Sequence, residues 1–171
     1  MLVVFTGNGK GKTTAAFGHA VRAVGQGKKA LMIQFIKGPW RAGEDSAEIK
    51  GRGGRFMLKK MGLGFVFILG DKIPFAKHKA AAQKALNYFQ KELPKWDMII
   101  LDEINVAVSL KLLTASQVLK AVQKAKPGQH IILTGRYAPK SFIRAADLVT
   151  EMSDVKHPYH KGKLAEKVID F

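Results

Sequence analysis

The chain has 171 residues, the length of one ordinary domain, and 47% of them are hydrophobic, enough for a substantial core. Its 29 Lys and Arg outnumber 13 Asp and Glu, and the formal net charge of +16 points to a polyanionic partner: nucleic acid, phospholipid headgroups or a phosphorylated ligand. A lysine-rich surface that is merely solvated is the alternative. The absence of cysteine excludes disulfides, thiolate zinc sites and cysteine nucleophiles, and no apolar run approaches a membrane span.

Short apolar segments alternate with helical patterns along the chain, which predicts βαβ units and a mostly parallel sheet. Strands are predicted at residues 2–6, 30–35, 96–102, 130–134 and 147–151, with one or two more within 56–69 and an edge strand at 164–171. Helices are predicted at residues 12–24, 74–90, 114–125 and 140–146. Residues 37–54 contain five glycines and are predicted to form a mobile loop. No repeat or linker divides the chain, so we expect one α/β domain over residues 1–171.

A glycine-rich segment joins the first predicted strand to the first helix. Residues 6–14 read Thr-Gly-Asn-Gly-Lys-Gly-Lys-Thr-Thr, and Gly11-Lys12-Thr13 match the end of a phosphate loop. Glycines let backbone N–H groups turn towards phosphate oxygens, the lysine bridges phosphates, and the hydroxyl binds Mg²⁺. The general pattern has glycine where this chain has Thr6, and a glycine turn with incidental lysines is the alternative. The segment predicts nucleoside triphosphate binding in a P-loop NTPase-like (RecA-like) fold, with helices on both faces of the sheet.

Asp102 and Glu103 close the apolar run of the strand at residues 96–102. A carboxylate at the end of a buried strand is costly unless it meets a metal, a hydroxyl or a cation. Asp102 would converge with Thr13 if their strands were neighbours, and the two would then share a Mg²⁺ ion. An aspartate that simply begins a loop is the alternative.

With these residues in place, the chain resembles the CobA/CobO/BtuR family of ATP:corrinoid adenosyltransferases. The resemblance rests on blocks that keep their order and spacing over nearly the whole chain. They are residues 7–18, 22–25, 34–38, 64–65, 101–103, 134–136 and 155–157. The variant phosphate loop is similar to the family's own form.

The resemblance implies a particular reaction, in which a Co(I) corrinoid attacks the ribose 5′ carbon of ATP and the whole triphosphate leaves. ATP and a corrinoid are then the substrates, Mg²⁺ (or Mn²⁺) is the cofactor, and no general base is needed. The implied catalytic residues are Lys12, Thr13, Asp102 and Glu103, of which the last three would hold the metal. The implied ATP contacts are Gly7, Asn8, Gly9, Lys10, Gly11, Lys12, Thr13, Thr14, Arg22 and Arg136.

The family places aromatic residues against the corrin face to displace the lower axial ligand and favour reduction of Co(II). Phe65 and Phe67 correspond to them, although Phe67 stands where the family more commonly has tryptophan. Two core residues of a strand are the alternative interpretation. His78, His157 and His160 match no standard zinc spacing, so we expect surface or hydrogen-bonding histidines.

Family members commonly act as homodimers and often carry an N-terminal segment that covers the site. The phosphate loop here begins at residue 7, so we expect closure by residues 37–54 or by a partner subunit. The chain's start is unlike a secretory signal, which predicts a soluble cytoplasmic protein.

Two other functions remain open from the residues themselves. A P-loop ATPase or kinase would act at the γ-phosphate and release ADP or phosphate. A basic ATP-dependent nucleic-acid-binding module is suggested by residues 50–60, which carry five positive charges and no acid, but charge alone predicts only nonspecific attraction. The remaining lysines would steer ATP or dock an acidic electron donor such as a flavodoxin.

Overall fold

A computed structural model describes residues 1–38, 40–68 and 70–169. Within these residues, seven strands form one sheet in the order β3-β4-β2-β5-β6-β1-β7. The strands are β1 (Leu2–Thr6), β2 (Lys29–Gln34), β3 (Lys50–Gly51), β4 (Gly54–Lys60), β5 (Met98–Asp102), β6 (His130–Thr134) and β7 (Leu148–Glu151). Neighbouring strands are parallel, except that β3 runs antiparallel to β4.

Helices cover both faces of this sheet. They are α1 (Lys12–Gly25), α2 (Phe75–Glu92), α3 (Ile104–Ser109), α4 (Ala115–Val122) and α5 (Lys140–Ala145). Alternate residues of each strand face opposite sides, so Val3 and Phe5 pack with α1 whereas Leu2 and Val4 join the core formed with the other four helices. The predicted fold class, a mostly parallel α/β sheet with helices on both faces, is confirmed.

The strand order explains how distant parts of the chain meet at one edge of the sheet. β6 lies between β1 and β5, so β1, which precedes Thr13, and β5, which ends at Asp102, are not neighbours. We expected Thr13 and Asp102 to converge if these two strands were neighbours, and that condition is wrong. They converge nevertheless, because α1 starts beyond the carboxyl end of β1 and packs against β6 and β5 on its way to β2.

Two local predictions are wrong in the described residues, and a third is confirmed. Residues 37–54 contain a 3₁₀ turn (Gly43–Ser46), β3 and the first residue of β4, because antiparallel pairing between β3 and β4 overrides the weak strand propensity of glycine and lysine. The prediction of one or two strands within residues 56–69 is confirmed by β4; no second strand follows it up to residue 68, Gly62 lies too close to the Ile36 backbone for any side chain, and residue 69 lies outside the described residues. Residues 164–169 form no strand and are exposed, while the last two positions of that predicted strand lie outside the described residues.

The other elements fall close to their predicted positions. Thr114 caps α4, and its hydroxyl accepts a hydrogen bond from the Gln117 N–H at 3.2 Å. The short helix α3 was not predicted, because six residues are too few for a helical period to be recognised. Across the described residues, no helix is long and apolar enough to cross a bilayer.

Candidate active site

The phosphate loop, residues 7–11, lies against the backbone that follows β7. The Gly9 N–H donates to the Met152 carbonyl at 2.7 Å. A Cβ on Gly7 would lie 2.3 Å from that same oxygen, and one on Gly9 would lie 2.4 Å from the Ser153 oxygen. Gly7 and Gly11 also have φ values of 94° and 114°, which L side chains rarely adopt. The glycines are therefore required by close packing and by backbone conformation together.

Lys12 is the first residue of α1, and only 7% of it is exposed. Its Nζ donates to the Gly9 carbonyl at 2.5 Å, which holds the ammonium over the loop. Burial lowers the pKa of Lys12, and the charge of Glu103 opposes that effect. A buried ammonium at the first residue of a helix, beside a glycine-rich loop, is an arrangement that stabilises bound phosphate.

Asp102 is completely buried at the carboxyl end of β5. Its Oδ1 accepts hydrogen bonds from Thr13 Oγ1 at 2.8 Å and Thr134 Oγ1 at 2.7 Å, and its Oδ2 accepts one from Gln34 Nε2 at 3.1 Å. All three donors are neutral. Burial raises the pKa of Asp102, while the charge of Lys37 and these hydrogen bonds act in the opposite direction.

Glu103 follows in a left-handed conformation, with φ of 61°, and its N–H donates to Thr134 Oγ1 at 3.0 Å. Burial and the adjacent Asp102 carboxylate raise the pKa of Glu103 to about 7. Two neighbouring carboxyl groups that are both hard to ionise would be stabilised as carboxylates by a nearby cation.

The side-chain oxygen atoms of Thr13, Asp102 and Glu103 are of the kind that binds Mg²⁺. In the described part of the chain, no group of three or more His, Cys, Asp or Glu side chains could hold a metal. Mg²⁺ does not need such a group, because it usually keeps several waters and binds through one or two carboxylates and the phosphates of a nucleotide. The 2.8 Å contact between Thr13 Oγ1 and Asp102 Oδ1 brings the hydroxyl and carboxylate of such a site together.

The two predicted arginines differ in their placement. Arg136 is exposed just after β6. Its charge acts to lower the pKa of both Lys12 and Glu103, so Arg136 lies near the phosphate loop. Arg22 is exposed in the last turn of α1, about 15 Å along the helix from Lys12 at ~1.5 Å per residue. The fold therefore brings Arg136 to the site edge and leaves Arg22 away from the phosphate loop.

Other loop residues lie at its outer side. Asn8, Lys10 and Thr14 are exposed, and the Thr14 hydroxyl donates to the Gly11 carbonyl at 3.0 Å. Gln34, Asn105 and Thr134 were not predicted as part of the site. Asn105 Nδ2 donates to the Phe5 and Gly135 carbonyls at 3.2 and 2.9 Å and so ties the ends of β1 and β6 together. The available signal for Gln34 and Thr134 was a polar residue at the carboxyl end of a buried strand.

A cluster of exposed aromatic rings lies on the segments that follow β2 and β4. The exposed fractions of Trp40, Phe65 and Phe67 are 59%, 43% and 68%. Trp40 stacks on Phe65 with ring centroids 5.6 Å apart, and Phe67 stacks on Phe75 at 5.5 Å. Phe65 and Phe67 lie outside any strand, so the alternative of two core strand residues is wrong. Trp40 was missed, although a tryptophan in a glycine-rich loop was a usable signal.

The histidines make hydrogen bonds to carboxylates. His78 is buried and lies 3.1 Å from Asp71, and His160 lies 2.8 Å from Asp154. These contacts agree with the expectation of hydrogen-bonding histidines for these two residues.

The parallel sheet, the phosphate loop with its buried lysine, and the Thr13–Asp102 pair define a nucleotide-binding α/β protein of the P-loop class. The chain belongs to the ATP:corrinoid adenosyltransferase family: the family model described as ATP:corrinoid adenosyltransferase BtuR/CobO/CobP matches residues 1–171.

Curated relatives are similar over the whole chain. The corrinoid adenosyltransferase of Escherichia coli K12 is 37% identical over 173 residues, which cover 100% of this chain and 85% of that protein. The corrinoid adenosyltransferase CobA of Salmonella typhimurium is 38% identical, with the same coverage. The corrinoid adenosyltransferase of Pseudomonas aeruginosa is 38% identical, over 100% of this chain and 83% of that protein.

Proposed function

We propose that this chain transfers the 5′-deoxyadenosyl group of ATP to the Co(I) centre of a corrinoid. The observation that carries the proposal is that two features lie at the same edge of the sheet, beyond the carboxyl ends of its parallel strands. One is the phosphate loop with the Thr13–Asp102 pair, and the other is the exposed aromatic cluster of Trp40, Phe65 and Phe67. Gln34 connects the two features. Its side chain donates to Asp102, and its backbone carbonyl accepts from the N–H of Met61, where the segment that contains Phe65 and Phe67 begins.

The reaction balances without a proton transfer. The electron pair on Co(I) forms the Co–C5′ bond, and the C5′–O bond breaks with its electron pair leaving on the triphosphate. The adenosylated corrinoid and triphosphate are the products. Negative charge grows on the triphosphate in the transition state, so cations and N–H groups that are already in position accelerate the step. The remaining acceleration comes from holding the cobalt in line with the 5′ carbon.

We assign the triphosphate to residues 7–14, with Lys12 as the principal cation and Lys10 and Arg136 at the outer side. The support is the buried position of the Lys12 ammonium and the influence of the Arg136 charge at the same place. Arg22 stays a weaker candidate for nucleotide contact because of its distance along α1.

Thr13, Asp102 and Glu103 are the proposed ligands of Mg²⁺ (or Mn²⁺), directly or through bound water. A divalent cation there would neutralise charge on the leaving triphosphate. Thr134 and Gln34 keep the Asp102 carboxylate oriented towards Thr13.

Phe65 and Phe67 are the proposed contacts to the corrinoid, and Trp40 extends the same surface. Their exposed rings offer apolar area that a flat macrocycle would cover. Phenyl in place of indole at Phe67 leaves a smaller ring with no N–H donor.

Residues 37–54 are the proposed cover of the site. Glu44 accepts from Lys37 and lies 3.4 Å from Gln34 Nε2, and Asp45 pairs with Lys60, so this segment is tied to the site edge. We further propose that residues 1–171 make up one domain, supported by the sheet that runs from residue 2 to residue 151. A homodimer and an acidic electron donor such as a flavodoxin remain proposals that rest on the family resemblance and on the net charge.

One anaerobic assay tests the reaction. The protein is mixed with ATP, Mg²⁺ and chemically reduced cob(I)alamin, and both the corrinoid absorption spectrum and the phosphate product are followed. We expect adenosylcobalamin and triphosphate in equal amounts. Orthophosphate or ADP without a cobalt–carbon product would contradict the proposal and favour an ATPase or kinase. Omission of Mg²⁺, with chelator present, should abolish product formation.

A further inference from the structure

Phe67 has an unusual backbone conformation for a bulky residue. Its φ is 64°, in the left-handed region that side chains other than glycine, asparagine and aspartate rarely adopt. Phe67 is also 68% exposed, so burial of the residue does not force this conformation. Such a conformation persists only where surrounding contacts hold it.

The contacts that hold it converge on Asp71. Asp71 Oδ2 accepts a hydrogen bond from the Phe67 N–H at 3.0 Å, and Oδ1 accepts one from the Ile73 N–H at 3.0 Å. The Asp71 N–H in turn donates to the Ile68 carbonyl at 3.2 Å. One carboxylate therefore bonds the backbone on both sides of the turn, which is a common role of aspartate in loops.

Helix α2 anchors this carboxylate. His78, in the first turns of α2, lies with Nε2 3.1 Å from Asp71 Oδ2, and the side chains of His78 and Asp71 are only 2% and 5% exposed. Phe75, the first residue of α2, stacks on the Phe67 ring with an interplanar angle of 12°. The exposed ring is thus connected to a rigid helix through two separate contacts.

We propose that Asp71, oriented by His78, is a positioning residue for the corrinoid reaction, which fixes the Phe67 backbone so that its ring is already placed for the corrin face. This inference rests on the proposed function, because it assigns to Phe67 a contact with the corrinoid. Placement before binding removes the cost of ordering an exposed loop when the macrocycle arrives. Asp71 acts through Phe67 and does not itself touch the reacting atoms.

The test is Asp71→Asn in the full-length protein, with cob(II)alamin as the probe in the presence of ATP and Mg²⁺. The new amide nitrogen is a donor and cannot accept from a backbone N–H, so one hydrogen bond to a charged acceptor is lost. Two forms of cob(II)alamin can be told apart by their absorption and electron paramagnetic resonance spectra: one that has lost its lower axial ligand and one that keeps it. We expect the ratio of the first form to the second to fall about tenfold. The dissociation constant for ATP should stay unchanged. The matched control is Asp97→Asn, which changes in the same way a carboxylate that accepts from the Lys29 N–H at the opposite edge of the sheet, and it should leave both quantities unchanged.

A double-mutant cycle with Phe67→Ala separates positioning from a general structural effect. If Asp71 acts through Phe67, then Asp71→Asn should change the ratio less than about twofold when Phe67 is already alanine. Fully additive effects would overturn the proposal. So would an Asp71→Asn protein that displaces the ligand as well as the wild type does.

His78→Phe provides a second variant, because it removes the donor to Asp71 while keeping a ring of similar size. We expect it to lower the same ratio in the same direction and to leave ATP binding unchanged. If neither Asp71→Asn nor His78→Phe folds, the loop is a core element and the proposal is wrong. Wild-type protein that fails to bind cob(II)alamin at all would instead contradict the proposed function.

Discussion

Lys12 is the residue on which the proposed chemistry depends most directly. Its ammonium is buried and bonded to the Gly9 carbonyl, close to where negative charge would grow on a leaving triphosphate. We expect Lys12→Ala to lower adenosyl transfer at least about 100-fold, the scale of removing one donor that stabilises developing charge. The far-UV circular dichroism spectrum should not change.

The matched control is Lys28→Ala. Lys28 is an exposed lysine that pairs with Asp97 at 3.8 Å. It lies just before the amino end of β2, at the edge of the sheet opposite to the phosphate loop, so its loss should leave turnover unchanged. Normal turnover in Lys12→Ala would show that this loop does not hold the triphosphate.

The hydrogen bonds to the Asp71 carboxylate predict that the free energy of unfolding depends on pH. Hydrogen bonds from the Ile73 and Phe67 N–H groups lower the pKa of Asp71 below its ordinary value of 3.8. The native state binds the proton less readily than the unfolded state, so the stabilisation is complete above pH 3.8 and is lost as the pH falls through the lower native pKa.

The measurement is the free energy of unfolding of the wild type and of Asp71→Asn, by denaturant titration between pH 5 and pH 2. The difference between the two proteins should shrink as the pH falls. A difference that stays constant over this range would contradict the assigned hydrogen bonds.

At the scale of elements, the phosphate loop and the end of β7 form one packed unit. A Cβ on Gly9 would lie 2.4 Å from the Ser153 oxygen and 2.7 Å from its carbon, both backbone atoms that cannot rotate away. We expect Gly9→Ala to push the loop off β7 and to weaken ATP binding about tenfold or more, since overpacking costs about 1–3 kcal/mol. Isothermal titration calorimetry with ATP and Mg²⁺ measures this change.

Gly18→Ala is the matched control within α1. A Cβ there meets nothing within 4 Å, and alanine is a better helix former, so this variant should gain about 0.5–1 kcal/mol of stability and bind ATP normally. Equal losses of ATP affinity in both variants would mean that close packing of the loop is not the reason for its glycine.

At the scale of the whole molecule, the net charge of +16 exceeds what a triphosphate site uses. Exposed lysines extend along the outer faces of α2 and α4 and the turns after them. They are Lys77, Lys79, Lys84, Lys91, Lys95, Lys120, Lys124 and Lys126. Such charges attract any polyanion at low ionic strength, without selecting one.

We therefore expect DNA binding to be nonspecific. Its dissociation constant, measured by fluorescence anisotropy with a labelled duplex, should rise more than about tenfold between 50 and 200 mM salt because binding releases counterions. Adenosyl transfer should continue at the higher salt concentration. Binding that survived at physiological salt with a sequence preference would favour the nucleic-acid module instead.

Features that depend on nearby residues were predictable from the sequence. The spacing of glycines, lysine and threonine in residues 6–14 indicates a phosphate loop, because the strand, loop and helix are consecutive in the chain. The N-cap at Thr114 and the buried run that ends at Asp102 are local in the same sense. Local patterns failed at residues 164–169, because alternation indicates a face that can be half-buried and does not supply a neighbouring strand.

By itself, then, the sequence determined the α/β class, the phosphate loop and the resemblance to the family. Only the tertiary structure decided that Thr13 meets Asp102 across an intervening strand and that Phe65 and Phe67 are exposed. It also decided that the buried His78 holds Asp71 beneath the Phe67 turn. The reason is physical: burial and hydrogen bonding of a side chain depend on which distant segments pack beside it, and that is set by strand order and helix placement.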